Sequence, residues 1–151
     1  MFNAHSLMPG AKEVCKELKQ SGINLAMASN APSKMLINRL KLAGIYDCFE
    51  IEKIYASEDI VGCRKPAPEF YEYIKVNNPE VESSRILMIG DSWKSDMIAA
   101  RKAGISTCWY NPKASPRPEQ GICNYEVVQL LALLKILGIN QDIPEEFGRL
   151  N

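Results

Sequence analysis

Histidine is nearly missing from this chain: His5 is the only one. A single imidazole argues against both a histidine-based metal centre and a Ser-His-Asp triad, and His5, in a short N-terminal stretch, is expected to be solvated. Net charge is missing as well, with 18 Lys and Arg against 18 Asp and Glu. A balanced surface has no field to recruit a polyanion or an anionic bilayer, so neither nucleic acid nor membrane is expected as a partner. No apolar run approaches membrane-spanning length. The first residues lack the charged start and long apolar stretch of a signal peptide, which points to the cytoplasm. The five cysteines, Cys15, Cys48, Cys63, Cys108 and Cys123, are odd in number, scattered and without a CxxC pair. That argues against a disulfide framework or a zinc site and fits a reducing compartment. Cys15 and Cys108 fall in apolar patterns and read as core. There is no internal repeat and no low-complexity block.

The 151 residues, 46% of them apolar, suit one domain over 1–151 that buries about two thirds of its unfolded surface. Helix and strand signals alternate along it. Pro9 suits a first helical turn, and Ala11, Val14, Cys15 and Leu18 form a stripe that stops at Ser21-Gly22. Ile23 to Ala28 reads as a strand ending in Ser29-Asn30. A helix from near Pro32 carries Leu36, Leu40 and Ala43 and stops at Gly44. Phe49 to Ala56 reads as a strand near a sheet edge, because polar positions alternate along it. Pro68 opens a helix bearing Phe70, Tyr71 and Ile74. Arg85 to Gly90 is a strand, and the helix after it ends at Ala103-Gly104. Ile105 to Tyr110 is a strand, followed by a loop with Pro112, Pro116 and Pro118. Val128 to Leu137 is a last, leucine-rich helix, which puts the core at 8–138 and leaves 139–151 as a loosely ordered tail.

Such alternation implies an α/β fold: a Rossmann-like, doubly wound parallel sheet with right-handed crossovers and helices on both faces. Ligands of such sheets bind at the carboxyl ends of the strands. Three tips carry suggestive chemistry. At the first, Ser29-Asn30 precedes a helix, so a hydroxyl and backbone N–H groups could cradle an oxyanion. At the second, Cys63-Arg64-Lys65-Pro66-Ala67-Pro68 is a loop stiffened by prolines around Lys65, a compact positive charge suited to phosphate. At the third, Ile86-Leu87-Met88-Ile89-Gly90 delivers Asp91, and Asp96 follows five positions later where a helix begins. Two carboxylates there suit a hard cation such as Mg²⁺, which takes oxygen ligands and shares them with phosphate. Taken alone, that last segment is equally an ordinary helix start with Ser92 or Ser95 as N-cap and Asp96 easing the helix dipole.

In order along the chain, Ser29, the Lys65-Pro66 step and Gly90-Asp91 with Asp96 resemble the second, third and fourth motifs of the haloacid dehalogenase superfamily of phosphohydrolases. The resemblance runs from about Pro9 to Leu137. Within that superfamily, Thr107-Cys108-Trp109-Tyr110-Asn111-Pro112, Gly121-Ile122 and Tyr125-Glu126 look most like the house-cleaning pyrimidine 5′-nucleotidases. The resemblance implies that Ser29 and Asn30 bind the transferring phosphoryl group. It makes Lys65 a catalytic residue that neutralises phosphate and nucleophile, Asp91 a Mg²⁺ ligand and Asp96 a support of the metal shell. The implied substrate is a small phosphorylated metabolite, a phosphomonoester such as a nucleoside monophosphate.

The superfamily's first motif, a strand ending in DxDxT or DxDxV that supplies the nucleophile and the acid/base, does not occur in these residues. Asp47-Cys48-Phe49 has one acid only, and Asp142 follows no apolar strand. The cap domain is absent too. Without a positioned carboxylate there is no aspartyl-phosphate chemistry, so the short chain is expected to be inactive, a truncated form of a phosphatase. In the superfamily that first strand lies between the strands read here at Arg85–Gly90 and Ile23–Ala28. Its absence leaves a gap of about 10 Å, two strand spacings. Either those strands close up and pair, or self-association or a partner segment fills the slot, or the chain is a fragment; Met1 to Leu7 is a poor filler. A second reading is a non-catalytic remnant that binds phosphate or Mg²⁺ or serves as an interaction module.

Overall fold

The computed structural model describes residues 8–150, so the expectations for His5 and for Met1 to Leu7 lie outside the described residues. The first helix, α1 (Ala11–Gln20), buries the expected stripe of Ala11, Val14, Cys15 and Leu18. Its end is a Schellman stop: Gly22 adopts φ +78°, its N–H reaches Lys19, and the N–H of Ile23 reaches Leu18. Gly lets the chain turn left-handed there without a Cβ clash, and the following isoleucine folds back onto the helix. The same two hydrogen bonds recur at Gly44-Ile45, Gly104-Ile105 and Gly138-Ile139. One dipeptide therefore ends four helical segments and sends the chain back toward the core.

The first strand is β1 (Met27–Ser29), shorter than the Ile23 to Ala28 run suggests. It leads to α2 (Ser33–Leu42), which buries Leu36 and Leu40. β1 pairs in parallel with β2 (Ile54–Ala56) from Met27↔Ile54 to Ser29↔Ala56. The expected strand start at Phe49 is lost because Tyr46–Cys48 and Ile51–Lys53 form 3₁₀ turns. Without a ladder beyond Ile54, the stretch before Met27 has no strand to pair with. All three β2 residues are buried, so the alternation of polar residues belonged to the turns and not to a half-exposed strand.

Pro68 occupies the first position of α3 (Pro68–Val76), where its missing N–H costs nothing, and Phe70, Tyr71 and Ile74 face inward. β3 (Leu87–Gly90) is followed by a π-helical turn at Trp93–Ile98 that runs into α4 (Ala99–Lys102). β4 (Ser106–Tyr110) and β5 (Tyr125–Val127) extend the sheet in parallel. The last helix, α5 (Ala132–Ile136), starts later than the leucine pattern suggests. The N–H groups of Val128 and Gln129 are taken by the carbonyl of Phe147 instead of by a helix. The tail is correspondingly better tied than the sequence suggests: β6 (Gly148–Leu150) pairs antiparallel with β5, and Ile139, Ile143 and Phe147 pack on the core. No helix among the described residues is long and apolar enough to cross a membrane.

The strands form two sheets, β1-β2 and β3-β4-β5-β6. Closure by pairing of β1 with β3 does not occur among the described residues. Yet the two sheets share both core layers. On one side Met27 and Ile54 lie with Ile89, Cys108 and Val127 beneath α1, α2 and α5. On the other Ala28 and Tyr55 lie with Met88 and Trp109 against α3 and α4. This is an α/β sandwich of parallel sheets flanked by helices, split between its first and third strands.

All five thiols are free. Burial pushes the Cys15 thiol up to about 12, aided by the neighbouring Cys48, and burial likewise raises Cys108. A protonated, enclosed thiol reacts slowly with alkylating or disulfide reagents. In the native protein Cys48 and Cys63, both partly exposed, should titrate first with a thiol reagent. Cys15, Cys108 and Cys123 should react only on unfolding, which mass mapping of the labelled sites checks.

Candidate functional site

At the tip of β1, Ser29 is buried and its Oγ accepts the N–H of Ala31 at 3.1 Å, a short turn that leaves the hydroxyl hydrogen to be donated elsewhere. The next residue, Asn30, points across to the loop after β2. Its Oδ1 accepts the N–H of Lys65 at 2.8 Å and its Nδ2 donates to the carbonyl of Lys65 at 3.1 Å. Buried Ser57 donates its hydroxyl to the carbonyl of Asn30 at 3.0 Å. Neither Ser29 nor Asn30 caps α2. That role falls to Asp59, whose carboxylate accepts the Ser33 N–H at 2.9 Å and the Ser33 hydroxyl. These two bonds hold the Asp59 carboxyl below its usual range. Nothing in the spacing of Asp59 from Ser33 announces this contact.

Lys65 is 8% exposed, an unusual burial for lysine. Its ammonium meets Asp96 Oδ1 at 2.6 Å, with Asp96 1% exposed. The second oxygen of Asp96 accepts the N–H of Ser92 at 3.1 Å. Room for that carboxylate exists only because position 90 is glycine: a Cβ there would overlap Oδ2, Cγ and Cβ of Asp96. Ser92 also serves as N-cap, accepting the N–H of Ser95 at 3.1 Å. The plain helix-start reading is therefore correct for Ser92 and coexists with the ion pair.

Asp91 is placed differently. It is exposed at the tip of β3, and its backbone carbonyl accepts the indole N–H of Trp109 at 3.1 Å. Trp93 packs edge-on against Trp109, with ring centroids 4.8 Å apart. Burial, and after it the Asp91 charge, raises Tyr110 at the end of β4. The structure thus brings Lys65 and Asp96 into direct contact, clamps Lys65 with Asn30, and sets Ser29 at the tip of β1 and Asp91 at the tip of β3. Lys94 lies exposed.

The donor chemistry can be tested against a magnesium ion. Both oxygens of Asp96 are engaged by Lys65 and Ser92, and no cluster of three or more His, Cys, Asp or Glu occurs among the described residues. Lys65, Asp96 and Asp91 together carry one net negative charge, and Asp91 presents hard oxygen at the mouth. That would fit one side of a magnesium shell, an ion that takes hard oxygen ligands and usually keeps several waters.

The sequence profile of the haloacid dehalogenase-like hydrolases matches residues 1–104. The putative HAD-hydrolase YfnB of Bacillus subtilis is 32% identical over 92% of this chain and 57% of its own length. The pyrimidine 5′-nucleotidases YjjG of Escherichia coli and PynA of Streptococcus pneumoniae are 28% and 31% identical. They are matched over 86% and 88% of this chain, and over 56% and 55% of their own lengths. The crystal structure of magnesium-bound YfnB superposes with a TM-score of 0.81 over 89% of this chain and 57% of that one, at 33% identity. The chain thus spans little more than half the length of these relatives. By profile, by identity and by fold, it belongs to the haloacid dehalogenase-like hydrolases.

Proposed function

We propose that this chain forms the phosphate-binding core of a magnesium-dependent phosphatase acting on small phosphomonoesters, with nucleoside monophosphates as the leading substrate class. The buried 2.6 Å contact between Lys65 and Asp96 carries this reading. An ammonium has three N–H donors. One is spent on Asp96, and the other two remain for a phosphoryl oxygen. The Ser29 hydroxyl offers a further donor beside β1. The relatives named as pyrimidine 5′-nucleotidases support the substrate class, and magnesium-bound YfnB supports the metal. Asp91 would be the residue that holds magnesium; its charge would offset that of the phosphate in a site otherwise negative by one.

The described residues stabilise charge but present no attacking carboxylate. Phosphoryl transfer through an aspartyl intermediate needs a nucleophile in line with phosphorus and an acid to protonate the leaving oxygen. The unpaired flank between β1 and β3 is where a strand carrying both would fit, from the same polypeptide or from a partner. A core that binds phosphate without turning it over is the second reading, favoured by the same missing reactants.

Three outcomes are expected. In magnesium chloride, Lys65→Ala should weaken the binding of inorganic phosphate at least about tenfold, the loss of one charge-assisted hydrogen bond. Lys94→Ala should leave it nearly unchanged; equal effects, read by calorimetry or ³¹P line broadening, would refute the assignment of Lys65. Gly90→Ala should displace Asp96 and destabilise the fold by about 1–3 kcal/mol, the usual cost of overpacking. A thermal or urea melt checks that, and an unchanged midpoint would sink the wedge argument. Finally, the 151 residues alone should show no hydrolysis of p-nitrophenyl phosphate or nucleoside monophosphates. Activity should appear when a strand ending in Asp-x-Asp is supplied upstream. Magnesium-dependent turnover by the short chain that Asp91→Ala abolishes would show that a nucleophile lies within it.

A further inference from the structure

The carboxamide of Asn30 does not project freely into the site. It forms two hydrogen bonds to the main chain of a single residue, accepting the N–H of Lys65 at 2.8 Å and donating to its carbonyl at 3.1 Å. The assignment of oxygen and nitrogen is fixed by the partners, since only Oδ1 can accept the N–H and only Nδ2 can donate to the carbonyl. Holding both peptide groups that flank the Lys65 Cα sets the direction in which its side chain leaves the backbone. Asp96 holds the far end of that side chain at 2.6 Å. A four-carbon stem with several rotatable bonds is thereby anchored at its root and its tip. The clamp is itself held: Ser57, fully buried, donates to the Asn30 carbonyl at 3.0 Å. Helix capping does not account for Asn30, because Asp59 takes the N–H of Ser33 at the start of α2.

We infer that Asn30, supported by Ser57, is a positioning residue that aims the Lys65 ammonium, acting through the Lys65 backbone and not as a side-chain ligand of phosphate. The functional half of this inference rests on the proposal that Lys65 binds phosphate; the geometric half does not. The chemistry requires asparagine. Aspartate at position 30 keeps the acceptor but puts a carboxylate oxygen against the carbonyl of Lys65, turning one hydrogen bond into a repulsion.

The test uses the 151-residue chain, inorganic phosphate with magnesium chloride, and Asn30→Asp, Asn30→Ala, Ser57→Ala and Lys65→Ala. The first readout is the ¹H–¹⁵N signal of the Lys65 ammonium, which burial and the bond to Asp96 should protect from exchange in the unaltered chain. Asn30→Asp and Asn30→Ala should shift or erase it while the amide signals of α1 and β5 stay in place. Ser57→Ala should perturb it less. Phosphate affinity should fall about tenfold in Asn30→Asp, the worth of one well-aligned hydrogen bond. An unchanged ammonium signal in either Asn30 variant overturns the inference. Should Asn30→Asp fail to fold, Asn30→Ala and Ser57→Ala decide by the same signal. If Lys65→Ala leaves phosphate binding intact while the Asn30 variants move the ammonium, positioning stands and the phosphate reading falls. If Lys65→Ala weakens binding and the Asn30 variants change neither signal nor affinity, the phosphate reading stands and positioning falls.

Discussion

The ion pair between Lys65 and Asp96 is the constraint around which the rest of this molecule is arranged. It joins the loop that follows the two-stranded sheet to the turn that follows β3, the first strand of the four-stranded one, across a flank where β1 and β3 make no ladder. Taking two charges out of water costs several kcal/mol per ion, and the attraction offsets that only when geometry is close and the remaining lone pairs are satisfied. Here the contact is 2.6 Å and the second carboxylate oxygen has the Ser92 N–H. Removing one partner of such a pair strands the other and typically costs about 3–5 kcal/mol. The same energy would be gained more cheaply by two apolar side chains, so stability alone does not explain why a lysine and an aspartate sit at this place. The proposed function, in which a buried ammonium binds phosphate, would explain it.

Much of the surrounding architecture serves that pair. Glycine at position 90 clears space for the carboxylate, and Asn30 holds the lysine backbone. Tyr71 from α3 donates its hydroxyl to the carbonyl of Ser95 at 2.5 Å, tying the turn that carries Asp96 to the opposite helix. Burial, with the Asp96 charge as a lesser cause, raises Tyr71, so this phenol stays a donor over the whole physiological range. Trp109, one strand further on, holds the carbonyl of Asp91. The acid at the β3 tip and the acid after it therefore have separate supports and different environments, one exposed and one buried. Two aspartates five positions apart are not interchangeable here.

What could be read from the sequence follows the physics of locality. Helices were legible because their signals are short-range: a stripe at helical spacing, Pro68 at a first position, and a Gly-Ile stop. The buried stripe of α1 and those of α2 and α3 fall where the spacing puts them. Ser29 closes β1 and Asp91 follows β3 directly, as the local apolar runs before them suggest. Strand extents were not legible, because a strand is defined by its neighbour. β1 and β2 are cut to three residues by the turns before Ile54, and β5 and β6 exist through each other. The roles of Asn30, Ser57 and Asp59 were hidden for the same reason: their hydrogen bonds span between 26 and 35 residues of sequence. The one trace available in advance was Gly90, since a glycine closing an apolar strand often marks a close approach by another group.

The charge of the crevice decides how far its chemistry reaches. Lys65 is paired with Asp96, and Asp91 leaves the three formally negative by one, so on the proposed function a phosphate dianion would meet donors inside an unfavourable field. Donors alone compete poorly with water for a doubly charged anion at physiological salt, because every hydrogen bond they offer replaces one that water already made. A dication held at Asp91, as the proposed function has it, would reverse the sign of the field, with both oxygens of Asp96 already engaged by Lys65 and Ser92. On the proposed function, phosphate would bind weakly without metal and better with it. Pairing lysine and aspartate in advance would then matter because a cation and a phosphate would act on a side chain whose position is already fixed by Asp96 and Asn30.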